Sequence, residues 1–232
     1  KDWGKKKHFR EGQAEQVLDD LFFWFIELAK DLQPKVVISE NVTGLIKGNA
    51  KGYVKRIMEL FDMAGYDTQL FKLNSATMGV PQRRERVFFI SRRKDLKLPP
   101  IKLSFNEAPI SFAEVEGIVQ GIGKPLSPAF AKWWKKTPMG KSLSYGHPKG
   151  SFFNSVRIHP DRPINTITSA SGAIICHYKV PNSISEEAMR VCQTFPKDYN
   201  FNGQDVKYVL GMSVPPKMIE GIAREIRRQW FE

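Results

Sequence analysis

Cysteine is scarce in this chain, acid is outnumbered by base, and long apolar runs are missing. Cys176 lies in the apolar run Ala173-Ile174-Ile175-Cys176 and Cys192 in a segment of helical period, residues 185–193. Two thiols in such unrelated settings make no disulfide framework, and a reducing, cytoplasmic setting is expected. Both are expected to be small buried residues. No stretch of about eighteen apolar residues occurs. The most apolar helical segment, residues 18–32, carries Asp19, Asp20, Glu27, Lys30 and Asp31, so it is expected to be a core helix and no membrane partner is expected. No signal-peptide pattern is visible. His8, His147, His159 and His177 are scattered, without cysteines at ligand spacing, so no metal is expected. The glycines of residues 117–124 precede Lys124, but Pro125 stands where a phosphate loop needs Ser or Thr, so only a turn is expected there.

What the chain has in excess is positive charge. Its 36 lysines and arginines stand against 24 aspartates and glutamates, a formal charge of +12. Such a balance draws a protein to polyanions through counterion release.

Chemistry is densest at Gln82-Arg83-Arg84-Glu85-Arg86, between Gly79-Val80-Pro81 and the apolar run Val87-Phe88-Phe89-Ile90. The run reads as a buried strand with guanidinium groups at its mouth. If the strand has already begun there, Arg84 and Arg86 share a face and can converge on one electronegative atom. A basic loop that merely solvates a strand end fits these residues equally well. A second strand end occurs at Val36-Val37-Ile38-Ser39-Glu40-Asn41-Val42, where a β-branched run closes on a carboxylate before Thr43-Gly44. Ligand sites of open α/β sheets lie at the carboxyl ends of strands. A carboxyl flanked by valines there is expected to be partly desolvated, which favours its protonated, hydrogen-bond-donating form. Between the two, residues 52–65 have helical spacing and a glycine stop, and residues 66–73 alternate.

In this order the segments resemble the cytosine-C5 methyltransferases that use S-adenosylmethionine. Glu40-Asn41-Val42 is similar to that family's Glu-Asn-Val motif, and Gln82-x-Arg84-x-Arg86 behind Gly79-Val80-Pro81 to its next block. Arg162-Pro163-Ile164-Asn165-Thr166-Ile167-Thr168 resembles the stretch that closes the target-recognition region. Thr194-Phe195-Pro196 and Gly211-Met212-Ser213-Val214-Pro215 resemble the C-terminal blocks.

The resemblance implies an α/β fold: the C-terminal half of a Rossmann-like methyltransferase sheet, with a small, irregular, mostly β target-recognition domain. It implies a base flipped out of duplex DNA. Glu40 would meet N3 and the exocyclic amine, and Arg84 or Arg86 would meet O2, with Asn41, Val42 and Gln82 in support. Lys5, Lys6, Lys7, Thr166 and Thr168 would lie along the DNA. Ser213 and Val214 would approach the methionine part of S-adenosylmethionine. Met212 stands where the family has Asn, which removes a hydrogen-bonding group from that loop.

Two parts of the family pattern are missing from these residues: the Pro-Cys nucleophile and the glycine-rich cofactor turn. Cys192-Gln193 is no substitute, because Val191 stands in place of the proline and the position is wrong. Residues 1–10 resemble the tail of the loop that follows the nucleophile. A complementary N-terminal half or subunit is therefore an expected partner. A transfer-RNA cytosine methyltransferase and a non-catalytic DNA-binding subunit are the alternatives.

The expected segmentation is a catalytic half-sheet in residues 1–94, recognition in 95–180, and a return to the catalytic domain in 181–232. Lys132-Trp133-Trp134-Lys135-Lys136 and Lys149-Gly150-Ser151-Phe152-Phe153-Asn154 interleave base and aromatic residues as a nucleic-acid surface would. For the first, an amphipathic turn burying both tryptophans is the alternative.

Overall fold

Glycine, proline and apolar period build the first half of the chain as alternating helix and strand. The computed structural model describes residues 18–47, 51–170 and 172–232. Lys5, Lys6 and Lys7 thus lie outside the described residues. Helix α1 (Leu18–Leu32) ends where Gln33 adopts a left-handed φ of 48° and Pro34 opens the turn into strand β1 (Val36–Val42). Helix α2 (Lys51–Met63) stops at Gly65, whose φ of 93° suits glycine, before β2 (Tyr66–Asn74). The two-residue β3 (Gln82–Arg83) precedes β4 (Glu85–Arg93). The three long strands form one sheet in the order β1-β4-β2. Val87, Phe88, Phe89 and Ile90 are wholly buried, as a strand covered on both faces requires.

The chain divides into two compact units. One comprises the described residues up to Phe71 together with Val87–Pro99, the other Lys72–Arg86 with Pro100–Glu232. The core of the first gathers Ile26 and Ala29 of α1, Ile57 and Phe61 of α2, and Tyr66 and Phe89 of the sheet. Arg93 closes its base, donating to the Gln33 carbonyl at 2.7 Å and to Asp95 at 2.7 Å.

The apolar period of residues 12–33 puts Val17, which lies outside the described residues, with Leu21, Phe22, Phe25, Leu28, Ala29 and Leu32 on one face, but helix α1 packs differently. Ile26 and Ala29 are buried, whereas Leu21, Trp24, Leu28 and Leu32 are more than half exposed. Its five charged residues share one side, and the apolar arc that remains is wider than the buried stripe, so period alone left its orientation open.

In the second unit the elements are short. After α3 (Phe112–Glu116) and α4 (Pro128–Lys136) come β5 (Lys141–Ser142), β6 (Val156–Arg157), β7 (Ile164–Asn165) and β8 (Ile175–Cys176). Strands β5, β6 and β8 form one small sheet and β3 pairs in parallel with β7. Helices α5 (Glu186–Cys192), α6 (Val206–Met212) and α7 (Pro216–Trp230) complete it. Its core draws on both sides of residue 180, with Phe112, Ile164 and Ile175 beside Ala188, Cys192 and Leu210.

Helix α7 buries Met218, Ile222, Ile226 and Trp230, one residue per turn. The apolar period of residues 215–231 puts Ile219, Ile222, Ala223 and Ile226 on one face, but Ala223 is exposed instead. The packed line follows the i, i+4 ridge, and Trp230 outweighs a methyl group in buried area.

Polar pins hold these short elements. Glu116 accepts from Tyr178 at 2.6 Å and from Nε2 of the buried His177 at 2.8 Å, while Nδ1 of that ring accepts from the Lys179 amide. Burial raises the Glu116 carboxyl, but these hydrogen bonds and the Lys179 ammonium outweigh it and hold its pKa below the ordinary value.

Candidate active site

A buried polar network in the second unit joins the motif segments 82–84, 164–168, 193 and 210–213. It begins at Ser75, which is wholly buried. The Ser75 hydroxyl donates to the Gln82 carbonyl at 2.5 Å and accepts from the Arg84 amide at 3.0 Å, clamping the loop into a hairpin. Gly79, at a φ of 70°, makes the turn between.

Gln82, also wholly buried, is the crossing point. Its Oε1 accepts from the Ile167 amide at 2.9 Å and its Nε2 donates to Oε1 of Gln193. Gln193 is buried in turn, and its Nε2 donates to the carbonyls of Leu210 and Ser213, each at 3.0 Å. Two primary amides facing one another can satisfy donors and acceptors on both sides, as burial of such groups demands.

Arg84 lies between β3 and β4 and is 2% exposed. Its guanidinium donates to the Ile167 carbonyl at 2.8 Å and the Gly211 carbonyl at 2.9 Å. The group is thus turned onto the protein's own backbone. Arg86, at the start of β4, is partly exposed and donates to the Glu85 carbonyl at 2.8 Å. Glu85 itself pairs with Lys72 at 2.8 Å.

The recognition-closing segment is held by the same hub. The Thr166 hydroxyl donates to the Arg83 carbonyl at 2.8 Å. Oγ1 of Thr168 is buried without a hydrogen-bond partner among the described residues. Helix α6 lies against this segment so closely that a Cβ on Gly211 would stand 2.2 Å from the Ser169 nitrogen. Only glycine permits that approach.

Ser213 caps α6, its hydroxyl donating to the Val209 carbonyl at 2.6 Å. The hydroxyl keeps lone pairs for an outside donor but no proton to give. Val214 is partly buried and Met212 is 63% exposed. In the first unit Glu40 and Asn41 end β1 partly buried, Val42 is 53% exposed, and Asn41 Oδ1 accepts from the Val42 amide at 2.8 Å.

Sequence alone gave Gln193 no role. The available signal for Gln193 was an amide in line with the buried Met189 and Cys192 face of α5, just before Thr194-Phe195-Pro196.

The match to a protein family covers the same segments. The model of the C-5 cytosine-specific DNA methylases matches residues 2–228. The chain belongs to that family. Its members are enzymes that take a methyl group from S-adenosylmethionine.

Among curated relatives, the type II methyltransferase M.NgoPII of Neisseria gonorrhoeae is 41% identical over 99 residues, covering 41% of this chain and 28% of its own length. M.NgoFVII of the same organism is 26% identical over 234 residues, covering 89% and 62%. The chain therefore spans about three fifths or less of the length of these relatives.

In fold, the chain resembles a candidate DNA modification methyltransferase encoded within an E. coli prophage, with a TM-score of 0.75 at 18% identity, covering 94% of this chain and 76% of that one. Spodoptera frugiperda DNMT2 gives 0.62 at 16% identity, covering 96% and 77%. These likenesses establish the α/β methyltransferase fold with its flanking helices.

The two thiols have the burial expected for them. Burial pushes the Cys176 thiol up to about 12 and the Cys192 thiol higher still. The thiolate is the nucleophile in cysteine chemistry, so neither group is suited to attack. Native protein is expected to leave both thiols unlabelled by a disulfide reagent until it unfolds. Labelling of Cys192 within the mixing time would reopen it as a nucleophile. No group of three or more metal-ligating side chains occurs among the described residues, and none of their helices is long and apolar enough to cross a membrane.

Proposed function

We propose that this chain works as part of a DNA cytosine-5 methyltransferase. The observation that carries the reading is the buried Gln82–Gln193 and Arg84 network. It ties the motif segments of the family into one structure, although Arg84 and Gly211 are 127 positions apart in sequence.

C5 of cytosine is a weak nucleophile, and a thiolate adding at C6 moves negative charge onto N3 and O2. Glu40, protonated, donates to N3, and Arg86 donates to O2. Arg84 serves as the positioning residue, holding the Thr166–Thr168 segment and α6 in place. S-adenosylmethionine supplies the electrophilic methyl group. Ser213, an acceptor only, suits the ammonium of its methionine part, and Val214 lies beside it in the chain. Once C5 is methylated, its proton leaves to a base and the thiol is eliminated from C6. The base must be out of the stack for any of these contacts.

Cys176 and Cys192 are too buried to provide the thiolate, so it comes from a Pro-Cys segment outside these 232 residues. The exposed apolar side of α1 supports a complementary half packed there. Residues 95–180 supply recognition, with Thr166 and Thr168 along the target strand.

Tritiated methyl transfer tests the reading. With the complementary half present, label is expected in duplex DNA and not in transfer RNA; these 232 residues alone are expected to incorporate none. Label in transfer RNA instead would turn the reading to an RNA methyltransferase, and label without the added half would refute the missing nucleophile.

A further inference from the structure

The stretch between Glu116 and Asp161 contains no acidic residue, yet Lys124, Lys132, Lys135, Lys136, Lys141 and Lys149 fall within it. Within this stretch, residues 145–153 form a loop seated on α4. Trp134 points inward, 7% exposed, and its Nε1 donates to the His177 carbonyl at 2.7 Å. Trp133 is only partly covered. Its ring meets His147 at 4.6 Å between centroids, and the ammonium groups of Lys132 and Lys136 lie 5.1 and 5.3 Å from its centre. One tryptophan is thus buried in the turn, and the other lies partly exposed among lysines.

The loop is internally braced. His147 Nδ1 accepts from the amides of Lys149 at 3.1 Å and Ser151 at 3.2 Å. The Ser142 hydroxyl holds the Phe153 carbonyl at 2.7 Å. Phe152 takes a left-handed φ of 66°, unfavourable for a bulky residue, while its ring packs 4.4 Å from that of Phe130. This bracing leaves two large aromatic side chains outward: Tyr145 is 68% exposed and Phe153 is 74% exposed. Neither contributes to the core. A braced loop loses little entropy on binding, and outward aromatic side chains among lysines suit a groove in which base edges, the thymine methyl among them, lie between phosphates.

We propose that this loop is a base-contacting element of the DNA interface. Tyr145 and Phe153 meet bases, while Lys132, Lys135, Lys136 and Lys149 neutralise the flanking phosphates. The assignment rests on the reading of the chain as part of a DNA methyltransferase.

The two roles separate by salt and sequence. Binding of the full-length protein is measured by fluorescence anisotropy, over a range of salt, to a pool of randomised duplexes and to the tightest duplex selected from it. The double variant Tyr145→Ala, Phe153→Ala is expected to lose about tenfold or more in affinity for the selected duplex. Its affinity for the pool, its salt slope and its melting temperature are expected to stay as in the parent. The triple variant Lys132→Gln, Lys136→Gln, Lys149→Gln is expected to flatten the slope of log K against log salt by about three on both DNAs. An affinity for the selected duplex within about twofold of the parent overturns the assignment. So does conversion of a dimer to a monomer by the double variant with DNA binding unchanged, which would make the patch a self-association surface. Parent protein with no salt-dependent DNA binding would instead sink the methyltransferase reading, and this assignment with it.

Discussion

Arg84→Met is expected to lower the unfolding free energy of the second unit by about 3–5 kcal/mol, read from urea denaturation. The side chain fits the buried space in length, but it donates nothing. The carbonyls of Ile167 and Gly211 would each lose a charge-assisted hydrogen bond of 2.8–2.9 Å. A buried acceptor left without a donor costs about 1–3 kcal/mol, and bonds to charged groups lie at the upper end of such values. Arg84→Lys is not a rescue: one ammonium on a flexible stem does not reproduce the planar fork that spans two carbonyls. The consequence reaches the site because Ile167 lies between Thr166 and Thr168. A loss below about 1 kcal/mol would mean that water or a neighbour replaces the guanidinium, and the positioning role would fall.

The second large effect is expected on rate rather than on stability. Arg86→Ala and Glu40→Ala, each in the complete enzyme, are expected to lower kcat/KM by about 10²–10³, the range found when a single preorganised donor is removed. Melting temperatures are expected to stay near the parent value. Arg86 is partly exposed at the start of β4, and Glu40 is partly buried at the end of β1, so neither replacement opens a core cavity. If both act on the same ring in one transition state, the double variant is expected to lose less than the two single losses combined. Near-parental kcat/KM in Arg86→Ala would remove it from the reaction and return the O2 contact to Arg84. A collapse in melting temperature would mark Arg86 as structural. Arg84 and Arg86 are thus told apart by their readouts: denaturation midpoint for the first, turnover for the second.

Family membership was legible because its signals are local. The β-branched run ending at Glu40, the glycine stop at Gly65 and the apolar run from Val87 to Ile90 all stand in the structure as the elements their periods call for. Ser185, expected near the start of a helix, caps α5 by accepting from the Ala188 amide at 3.1 Å. Local signals failed where a helix offers more than one apolar face. Helix α1 turns Ile26 and Ala29 inward rather than Leu28 and Leu32, and α7 chooses Met218 and Trp230 over Ala223. Period says that a stripe exists; which stripe is used depends on the volume it must fill.

The amino-acid order by itself determined the elements and the family, since backbone preference, apolar period and short motifs act within a few residues of one another. It also set the positive charge that calls for a polyanion. Tertiary structure alone decided where each guanidinium points. The carbonyls that hold Arg84 lie 83 and 127 positions away, and Gln82 finds Gln193 at a separation of 111. No spacing rule links residues so distant, because buried polar groups take whatever partners the packed chain brings within hydrogen-bond reach.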